Sequence, residues 1–284
     1  MKVGVIGAGR VGSVLGHAMQ RAGHEIVGVT AVSDASIERA ETLLPGVPIL
    51  DADEIVRASQ IVLIAIPDDS IAEFVSGLAT LGLWGAEHAV IHTSGAHGVE
   101  VLEPARAAGA ITIAIHPAMT FTGTSLDVPR LDGLPFAVTA HGVHATIGDG
   151  LVIDMGGEPF RVKSADRALY HAALAHSANH MLMLVGQTRR LLASAQIDPS
   201  VIGPLLMATL DGALSGEDSR ITGPVVRGDV GTVESHLEAL GESGQPDADQ
   251  TYRALAAVTA RYCAERGLLS VEKAEEIINL LEGE

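Results

Sequence analysis

The chain has 284 residues, long enough for two domains that each bury an apolar core. Its 35 acidic and 18 basic residues give a formal net charge of −17, which opposes binding to nucleic acid and to anionic membrane surfaces. The single cysteine, Cys263, cannot form an internal disulfide, and the first residues lack the apolar segment of a secretory signal. We therefore expect a soluble, cytoplasmic protein with no nucleic-acid or membrane partner.

Residues 1–163 alternate short apolar runs with helical stretches, a pattern typical of a parallel sheet joined by crossover helices. The predicted strands are residues 3–6, 26–30, 47–50, 61–66, 89–92 and 111–116. Two later runs that are flanked by turn residues could extend the sheet, at 136–139 and 159–162. The pattern therefore predicts an α/β fold for the N-terminal domain.

Residues 164–284 have helical periodicity instead and form the second predicted domain, which is all-helical. The predicted helices are residues 164–194, 201–214, 233–240, 249–266 and 271–281. These helices are more apolar than a thin cap on the first domain requires. We therefore expect the second domain to form the main contacts of a homodimer.

A glycine-rich turn directly after the first predicted strand reads Gly7-Ala8-Gly9-Arg10-Val11-Gly12 and matches G-x-G-x-x-G. In this pattern the first glycine permits a tight turn, the second lets a pyrophosphate approach the backbone, and the third lets helix and strand pack closely. A glycine-rich turn that binds nothing is the alternative. With a strand before the turn and a helix after it, residues 1–163 are predicted to form a Rossmann-type, dinucleotide-binding domain.

The second predicted strand ends without the Asp or Glu that usually binds the ribose 2′-hydroxyl of NAD. Ser33 and Arg39, at the start of the following helix, could instead receive the 2′-phosphate of NADP. Asp34 is interpreted as the N-cap of that helix, and Arg39 could equally be a solvated charge. We therefore expect NADP to be the cofactor, with NAD as the less favoured alternative.

A second cofactor-facing loop is predicted after residues 61–66, where the sequence reads Ile66-Pro67-Asp68. Loops at the carboxyl ends of parallel strands border the cofactor in this type of sheet. The acidic and hydroxyl residues that follow the proline could also cap a helix, and the two roles are compatible.

Ser94 and His116 follow the next two predicted strands, so both are expected at the same carboxyl edge, beside the nicotinamide end of the cofactor. A histidine at this place can hold or remove the proton of a carbinol, because its ordinary pKa lies near neutrality. The alternative is that Ser94 bonds only its own turn and that His116 merely precedes a proline.

Together these features resemble the 6-phosphogluconate-dehydrogenase-like superfamily, which includes ketopantoate reductase, pyrroline-5-carboxylate reductase and prephenate dehydrogenase. A closer resemblance covers nearly the whole chain and joins a Rossmann-like domain to a helical domain of unknown function. Its members are usually assigned as NADP-dependent oxidoreductases. The segments that carry this resemblance are His92-Thr93-Ser94-Gly95-Ala96, His116-Pro117-Ala118-Met119-Thr120-Phe121, Tyr170-His171-Ala172-Ala173 and Thr222-Gly223-Pro224-Val225-Val226-Arg227-Gly228-Asp229. The resemblance implies a fold and a cofactor and leaves the substrate open.

One feature departs from the better-known relatives, which carry Lys-x-x-x-Asn on the first long helix of the second domain. Asn179 could be the asparagine, but Ala175 stands where the lysine would be. The resemblance therefore makes Asn179 the best helical candidate for bonding substrate, with His171 second. It does not support a lysine-driven mechanism or the name ketopantoate reductase.

Two further groups of residues in the helical part are candidates for binding a ligand. His176 and His180 share a helix face, but no acid or cysteine lies near them in sequence, so we expect no metal site. Arg227 could clamp a substrate carboxylate, or it could pair with Asp229 or Glu234.

The sequence thus favours an NADP(H)-dependent oxidoreductase that transfers a hydride to or from a small hydroxy, keto or imine substrate bound between the two domains. One alternative is a non-catalytic NADP(H)-binding or sensor protein, which would explain the missing lysine. A ketopantoate-reductase-like enzyme is the other.

Overall fold

The computed structural model describes residues 1–216 and 221–283. Within it the chain forms two compact units, Met1–Ala178 and Asn179–Glu284, so the boundary between them falls inside a long helix. No helix in the described ranges is both long and apolar enough to cross a membrane.

The first unit contains a seven-stranded sheet, which confirms the predicted fold class. The strands are β1 (Lys2–Ile6), β2 (Glu25–Val29), β3 (Ile61–Ile64), β4 (Ala89–His92), β5 (Ile111–Pro117), β6 (Pro135–Ala140) and β7 (Glu158–Arg161). Their order across the sheet is β2-β1-β3-β4-β5-β6-β7. Every neighbouring pair is parallel except β5 and β6, which are antiparallel.

Residues 47–50 do not form the predicted strand and make only one bridge, between Val29 and Ile49. Pro48 lacks the N–H group that a sheet ladder requires, and Gly46 turns the chain just before it with a φ of +81°. The apolar run at this point therefore lies along the edge of β2 without extending the sheet.

Six helices precede the long helix: α1 (Arg10–Arg21), α2 (Asp34–Leu43), α3 (Ala52–Ala58), α4 (Asp68–Thr80), α5 (Glu103–Ala107) and α6 (Ala145–Asp154). They allow the sheet to bury both faces, because successive side chains of a strand point to opposite sides. In β3, Ile61 and Leu63 join one apolar core, and Val62 and Ile64 join the other. This explains why the central strands are apolar runs rather than alternating sequences.

The remaining helices are α7 (Arg167–Ser194), α8 (Gly203–Leu214), α9 (Pro224–Arg227), α10 (Val230–Glu242), α11 (Pro246–Glu265) and α12 (Val271–Glu282). They confirm the predicted helical C-terminal part. The core of the second unit lies among α10, α11 and α12 and includes Val233, Ala260 and Ile277. Cys263 is fully buried in this core, where burial raises the pKa of its thiol. It is therefore a packing residue.

Candidate functional site

The glycine-rich turn is held in place by its own packing. Gly7 has a φ of +101°, and its N–H group donates to Thr30 Oγ1 at 2.8 Å. The N–H group of Ala8 donates to the carbonyl of the same threonine, also at 2.8 Å. A Cβ atom on Gly12 would lie 2.1 Å from the carbonyl oxygen of Gly7. Gly7 and Gly12 are therefore required by the shape of the turn itself.

Gly9 is different, because a Cβ atom there would contact only the carbonyl oxygen of Ala65, at an ordinary 3.7 Å. Gly9 is the N-cap of α1, and no side chain caps this helix end. The first turn of α1 contains no acidic residue. The first N–H groups of α1 therefore face open space at the positive end of the helix, an arrangement suited to a phosphate.

A cavity of about 720 Å³ lies beside this turn and runs to the end of β2. Its lining includes Gly7, Ala8, Gly9, Thr30, Ser33, Ile66 and Pro67. Ser33 rather than Asp34 is the N-cap of α2, because its hydroxyl accepts the N–H of Ser36 in a capping box. The prediction for Asp34 was wrong by one residue, since the serine can bond the helix reciprocally with Ser36 and the aspartate begins the helix proper.

Two arginines lie together beside the same region. A Cβ atom on Gly123 would be 2.9 Å from Cγ of Arg10 and 3.1 Å from Cδ of Arg39, so both side chains pack against this glycine. Arg39 Nη1 donates to the carbonyl of Ala35 at 2.7 Å, which holds its guanidinium at the first turn of α2. Two cations thus lie close together, at the starts of α1 and α2, in a chain that is otherwise strongly acidic.

A second cavity, of about 430 Å³, opens at the carboxyl ends of β3, β4 and β5. It brings together several of the predicted residues from separate parts of the sequence. Its lining includes Arg10, Val11, Ile66, Asp68, Ser94, Gly95, His116, Met119, Phe121 and His171. The glycine-rich turn and the two strand-end residues therefore line one site within the first unit.

Ser94 is buried and takes part in several hydrogen bonds. Its hydroxyl donates to Asp68 Oδ2 at 2.7 Å and accepts the N–H of His97 at 3.1 Å. Its own N–H donates to Nδ1 of His92, whose Nε2 donates to the carbonyl of Gly98 at 2.8 Å. Ser94 thus bonds its own turn, as the structural alternative predicted, and also joins that turn to the start of α4.

His116 lies near the end of β5 and faces α7. Its Nδ1 shares a hydrogen bond of 2.9 Å with the hydroxyl of Tyr170, and its ring packs edge-on against that of His171 at 5.7 Å between centroids. A Cβ atom on Gly95 would lie 2.9 Å from Nε2 of His116 and 2.6 Å from Cδ2 of His171. The absence of a side chain on Gly95 therefore lets its backbone lie close against both imidazole rings.

Burial makes the two strand-end histidines weak bases. The pKa of His116 is lowered to about 4, first by burial and then by the neighbouring His171 and Arg167. Burial likewise lowers the pKa of His92 to about 4. Burial raises the pKa of Tyr170, so its hydroxyl keeps a proton. At neutral pH His116 is therefore an uncharged ring, contrary to the expectation that its pKa would stay near neutrality, because desolvation disfavours the imidazolium.

Two predicted site residues belong to the second unit. Asn179 is an exposed residue of α7. Arg227 is exposed at the end of α9, and its Nε donates to Asp229 Oδ2 at 2.8 Å, which is the ion pair considered as the alternative to a substrate clamp. Across the described ranges, no three His, Cys, Asp or Glu side chains are grouped as a metal site.

Sequence reasoning missed four residues that build the first unit's site: Thr30, His92, Arg167 and Tyr170. Tyr170 directly precedes His171 within a segment that carried the resemblance, and that adjacency was the available signal. Nothing in the sequence indicates that Arg167 is fully buried, because an arginine at the start of a helix is ordinarily solvated.

Comparisons with known proteins match two segments of the chain. Residues 1–117 match a Rossmann-like domain, and residues 134–259 match the domain of unknown function DUF2520. The second match begins at the last two strands of the sheet and continues into the helical unit. This confirms the resemblance that the sequence carried, and no curated protein matches the chain.

Several solved structures share the fold. One is a protein of Bacteroides fragilis assigned as an NADP oxidoreductase, at 21% identity and a TM-score of 0.76, covering 90% of this chain and 96% of that one. Another is an imine reductase from a Pseudomonas species, at 20% identity and 0.67, covering 98% and 99%. A third is an imine reductase from Myxococcus stipitatus in complex with NADP+, at 16% and 0.67, covering 92% and 95%.

The low pKa values of His92 and His116 predict how the free energy of unfolding depends on pH. An unfolded histidine binds its proton near pH 6.5, whereas these two bind theirs near pH 4 in the folded chain. The contribution of these two histidines to the free energy of unfolding is therefore complete above about pH 6.5 and is lost as the pH falls toward 4. We expect each histidine to contribute about 3 kcal/mol to this loss in urea unfolding experiments.

A His92→Gln variant isolates one contribution, because glutamine keeps a donor and an acceptor but does not titrate. It should lose less stability than the wild type between pH 7 and pH 4.5. The exposed His141, changed to Gln, is the control and should behave as the wild type does. Equal slopes for the wild type and His92→Gln would contradict the buried, uncharged state of His92.

Proposed function

We propose that the chain is an NADP(H)-dependent oxidoreductase that acts on a small hydroxy, keto or imine substrate. One observation carries the proposal: Arg10 and Val11 of the glycine-rich turn line the same cavity as Ser94 and His116. A dinucleotide seated on the turn would bring its reactive ring to the strand ends, where a proton-exchanging side chain lies. The solved relatives named for NADP and for imine reduction support the same reading.

The described residues fit a dinucleotide in three ways. The uncapped start of α1 offers N–H groups to the pyrophosphate, and the absent side chain of Gly9 leaves room for it. The cavity beside β2 is large enough for an adenosine. Arg10 and Arg39 supply the positive charge that a 2′-phosphate requires. When bound, the dinucleotide supplies or takes up the hydride.

His116 and Tyr170 can handle the accompanying proton without forming an imidazolium. When a carbonyl is reduced, Nε2–H of neutral His116 donates its proton to the substrate oxygen while the Tyr170 hydroxyl passes its proton to Nδ1 across the 2.9 Å hydrogen bond, so the ring stays neutral. The phenolate then takes the proton back from Nδ1 as water protonates Nε2, which restores the starting tautomer and leaves hydroxide to the solvent. The reverse sequence removes a carbinol proton. The low pKa of His116, about 4, is compatible with this exchange, because no imidazolium forms.

The cofactor proposal predicts that NADPH binds more tightly than NADH in isothermal titration calorimetry. An Arg39→Met variant should lose about 10-fold or more of its NADPH affinity, because a charge-assisted hydrogen bond contributes roughly 1.5–3 kcal/mol. Its NADH affinity should change little, since NADH lacks the 2′-phosphate.

The matched control is Arg106→Met, in which an exposed arginine that pairs with Glu103 is removed. Gly9→Ala should weaken both cofactors, whereas Gly77→Ala, in open space on α4, should weaken neither. Equal affinities for NADPH and NADH would refute the phosphate assignment. No binding of either cofactor would refute the function.

The catalytic proposal predicts that His116→Asn lowers turnover by roughly 100- to 10,000-fold, the usual contribution of general acid–base catalysis. Turnover would be measured with both cofactors on a panel of small hydroxy acids, ketones and cyclic imines. NADPH affinity should stay within a few-fold of the wild type. Ser94→Ala should cost less, because Ser94 contributes a hydrogen bond rather than the proton.

His141→Asn serves as the control for changing a histidine that lies outside the cavity. Turnover of His116→Asn within a few-fold of the wild type would return His116 to a structural role. A wild type that binds NADPH but turns over no member of the panel would favour the non-catalytic sensor, and turnover of ketopantoate alone would favour the ketopantoate-reductase alternative.

The proposal includes a homodimer formed through the helical unit. Gly212 is the only buried residue of α8, and this helix makes its main contacts with the short turn that precedes it. An isolated 12-residue helix is marginal in water, and one that is apolar all round requires a partner. The exposed Leu and Met residues of α8 are Leu205, Leu206, Met207, Leu210 and Leu214.

A second copy of the chain is the occupant that the charges favour. Asp211 is the only charged residue of α8, and residues 181–188 of α7 carry none, so two chains of charge −17 can approach here with little repulsion. Met181, Leu182, Met183 and Leu184 are also exposed. With the α8 residues they offer several hundred Å² of apolar surface, on the order of the roughly 800 Å² per partner of a stable interface.

Light scattering at micromolar concentration should therefore give the mass of a dimer. Leu205→Glu should weaken the dimer by more than about 10-fold, because a carboxylate would be buried in an apolar interface. Leu81→Glu is the matched control, since Leu81 and Leu205 are each 66% exposed but Leu81 lies in the first unit. A monomeric wild type, or equal weakening by both variants, would contradict this interface.

A further inference from the structure

Arg167, the first residue of α7, is fully buried and holds parts of the sheet together. Its Nε donates to Thr139 Oγ1 at 2.8 Å and its Nη1 to the carbonyl of Ser94 at 2.8 Å. Its Nη2 donates to the carbonyls of Ala114 at 3.0 Å and Ala137 at 2.9 Å. One guanidinium thus joins the loop after β4 to β5 and β6.

Three of these acceptors belong to residues that lie next to His116 in the pairing of β5 with β6. Ala137 is the residue of β6 that pairs with His116, and Ala114, which precedes His116 by two residues on β5, pairs with Thr139. The fourth acceptor belongs to Ser94, whose hydroxyl bonds Asp68 in the same cavity as His116. The backbone on each side of the candidate site is therefore fixed by the same side chain.

Arg167 also sets the first turn of α7 against the site. Tyr170 and His171 lie three and four positions later, so all three side chains share one face of the helix. Tyr170 bonds Nδ1 of His116, and His171 packs against its ring. The anchored turn therefore supplies two of the groups that His116 contacts.

The buried guanidinium of Arg167 lacks the ion-pair partner that usually compensates for burying a charge. No carboxylate forms an ion pair with it among the residues that the structure describes, although Glu100 acts on it at longer range, and burial lowers the pKa of its guanidinium to about 10. Burying an unpaired cation is costly, and a neutral side chain could bond carbonyls without that cost. Its charge does oppose a second positive charge on His116 and on His92.

We infer that Arg167 is the positioning residue of the candidate site: its hydrogen bonds fix where Ser94 and His116 lie, and its guanidinium adds a positive charge beside the His116 ring. This inference rests on the proposed function only for its effect on turnover. The charged and titratable groups that face His116 are Arg167, Tyr170 and His171 from α7, Asp68 from the start of α4, and Arg10 from the start of α1.

Two substitutions separate charge from geometry, and NMR titration of the His116 ring gives a readout that needs no substrate. Arg167→Met removes the charge, so the pKa of His116 should rise from about 4, while burial, the larger cause, keeps it below 6.5. Arg167→Lys keeps the charge but cannot reproduce the fork of hydrogen bonds. It should leave the pKa low while lowering turnover by about 100-fold, because small displacements in a site have effects of this size.

Arg106→Met is the control for removing an exposed arginine and should change neither quantity. If Arg167→Met does not fold, Arg167→Lys and Thr139→Val carry the test, and wild-type turnover in both would overturn the positioning role. An unchanged His116 pKa in folded Arg167→Met would overturn the role of the charge. A wild type without turnover would refute the proposed function and leave the titration result standing.

Discussion

Parallel pairing of β1, β3, β4 and β5 is the constraint on which the rest of the first unit depends. Because these strands run in one direction, the segments that follow them meet at one edge of the sheet. The glycine-rich turn, the Asp68 loop, the Ser94 turn and His116 come from distant parts of the sequence and reach a common cavity for this reason. The antiparallel β6 then reverses the direction, so its carbonyls can meet Arg167 beside His116.

Desolvation decides the electrostatics at this edge. His92 needs one protonated and one unprotonated ring nitrogen, because Nε2 donates to Gly98 while Nδ1 accepts from Ser94. His116 is buried beside a cation and a second histidine, and both oppose its protonation. Two histidines that would titrate near neutrality in water are therefore uncharged at pH 7. The acidic net charge of the whole chain does not reach this site, where the local charge is set by Arg10, Arg167 and Asp68.

The fold could be predicted from periodicity because both faces of the sheet are buried and the helices have regular apolar patterns. The prediction of a strand at residues 47–50 was wrong, because Pro48 has no N–H group to donate to the sheet although the segment is apolar. Only those site residues that lie at or directly after the ends of strands could be predicted from the sequence. These are Ser94, His116 and the glycine-rich turn. The partners of these residues could not be predicted, because Tyr170 and Arg167 reach them through tertiary packing and the buried arginine contradicts its usual preference for solvent.

The missing lysine has a structural counterpart in the first turn of α7. In the relatives that the sequence resembles, the lysine precedes the asparagine by four positions, and here that position is Ala175. The side chains that contact His116 lie nearer the start of the helix, at Tyr170, whose hydroxyl shares a hydrogen bond with the ring, and at His171. Under the proposed function, His116 exchanges the proton from a strand whose backbone is paired on both sides, and the two helix residues orient its ring.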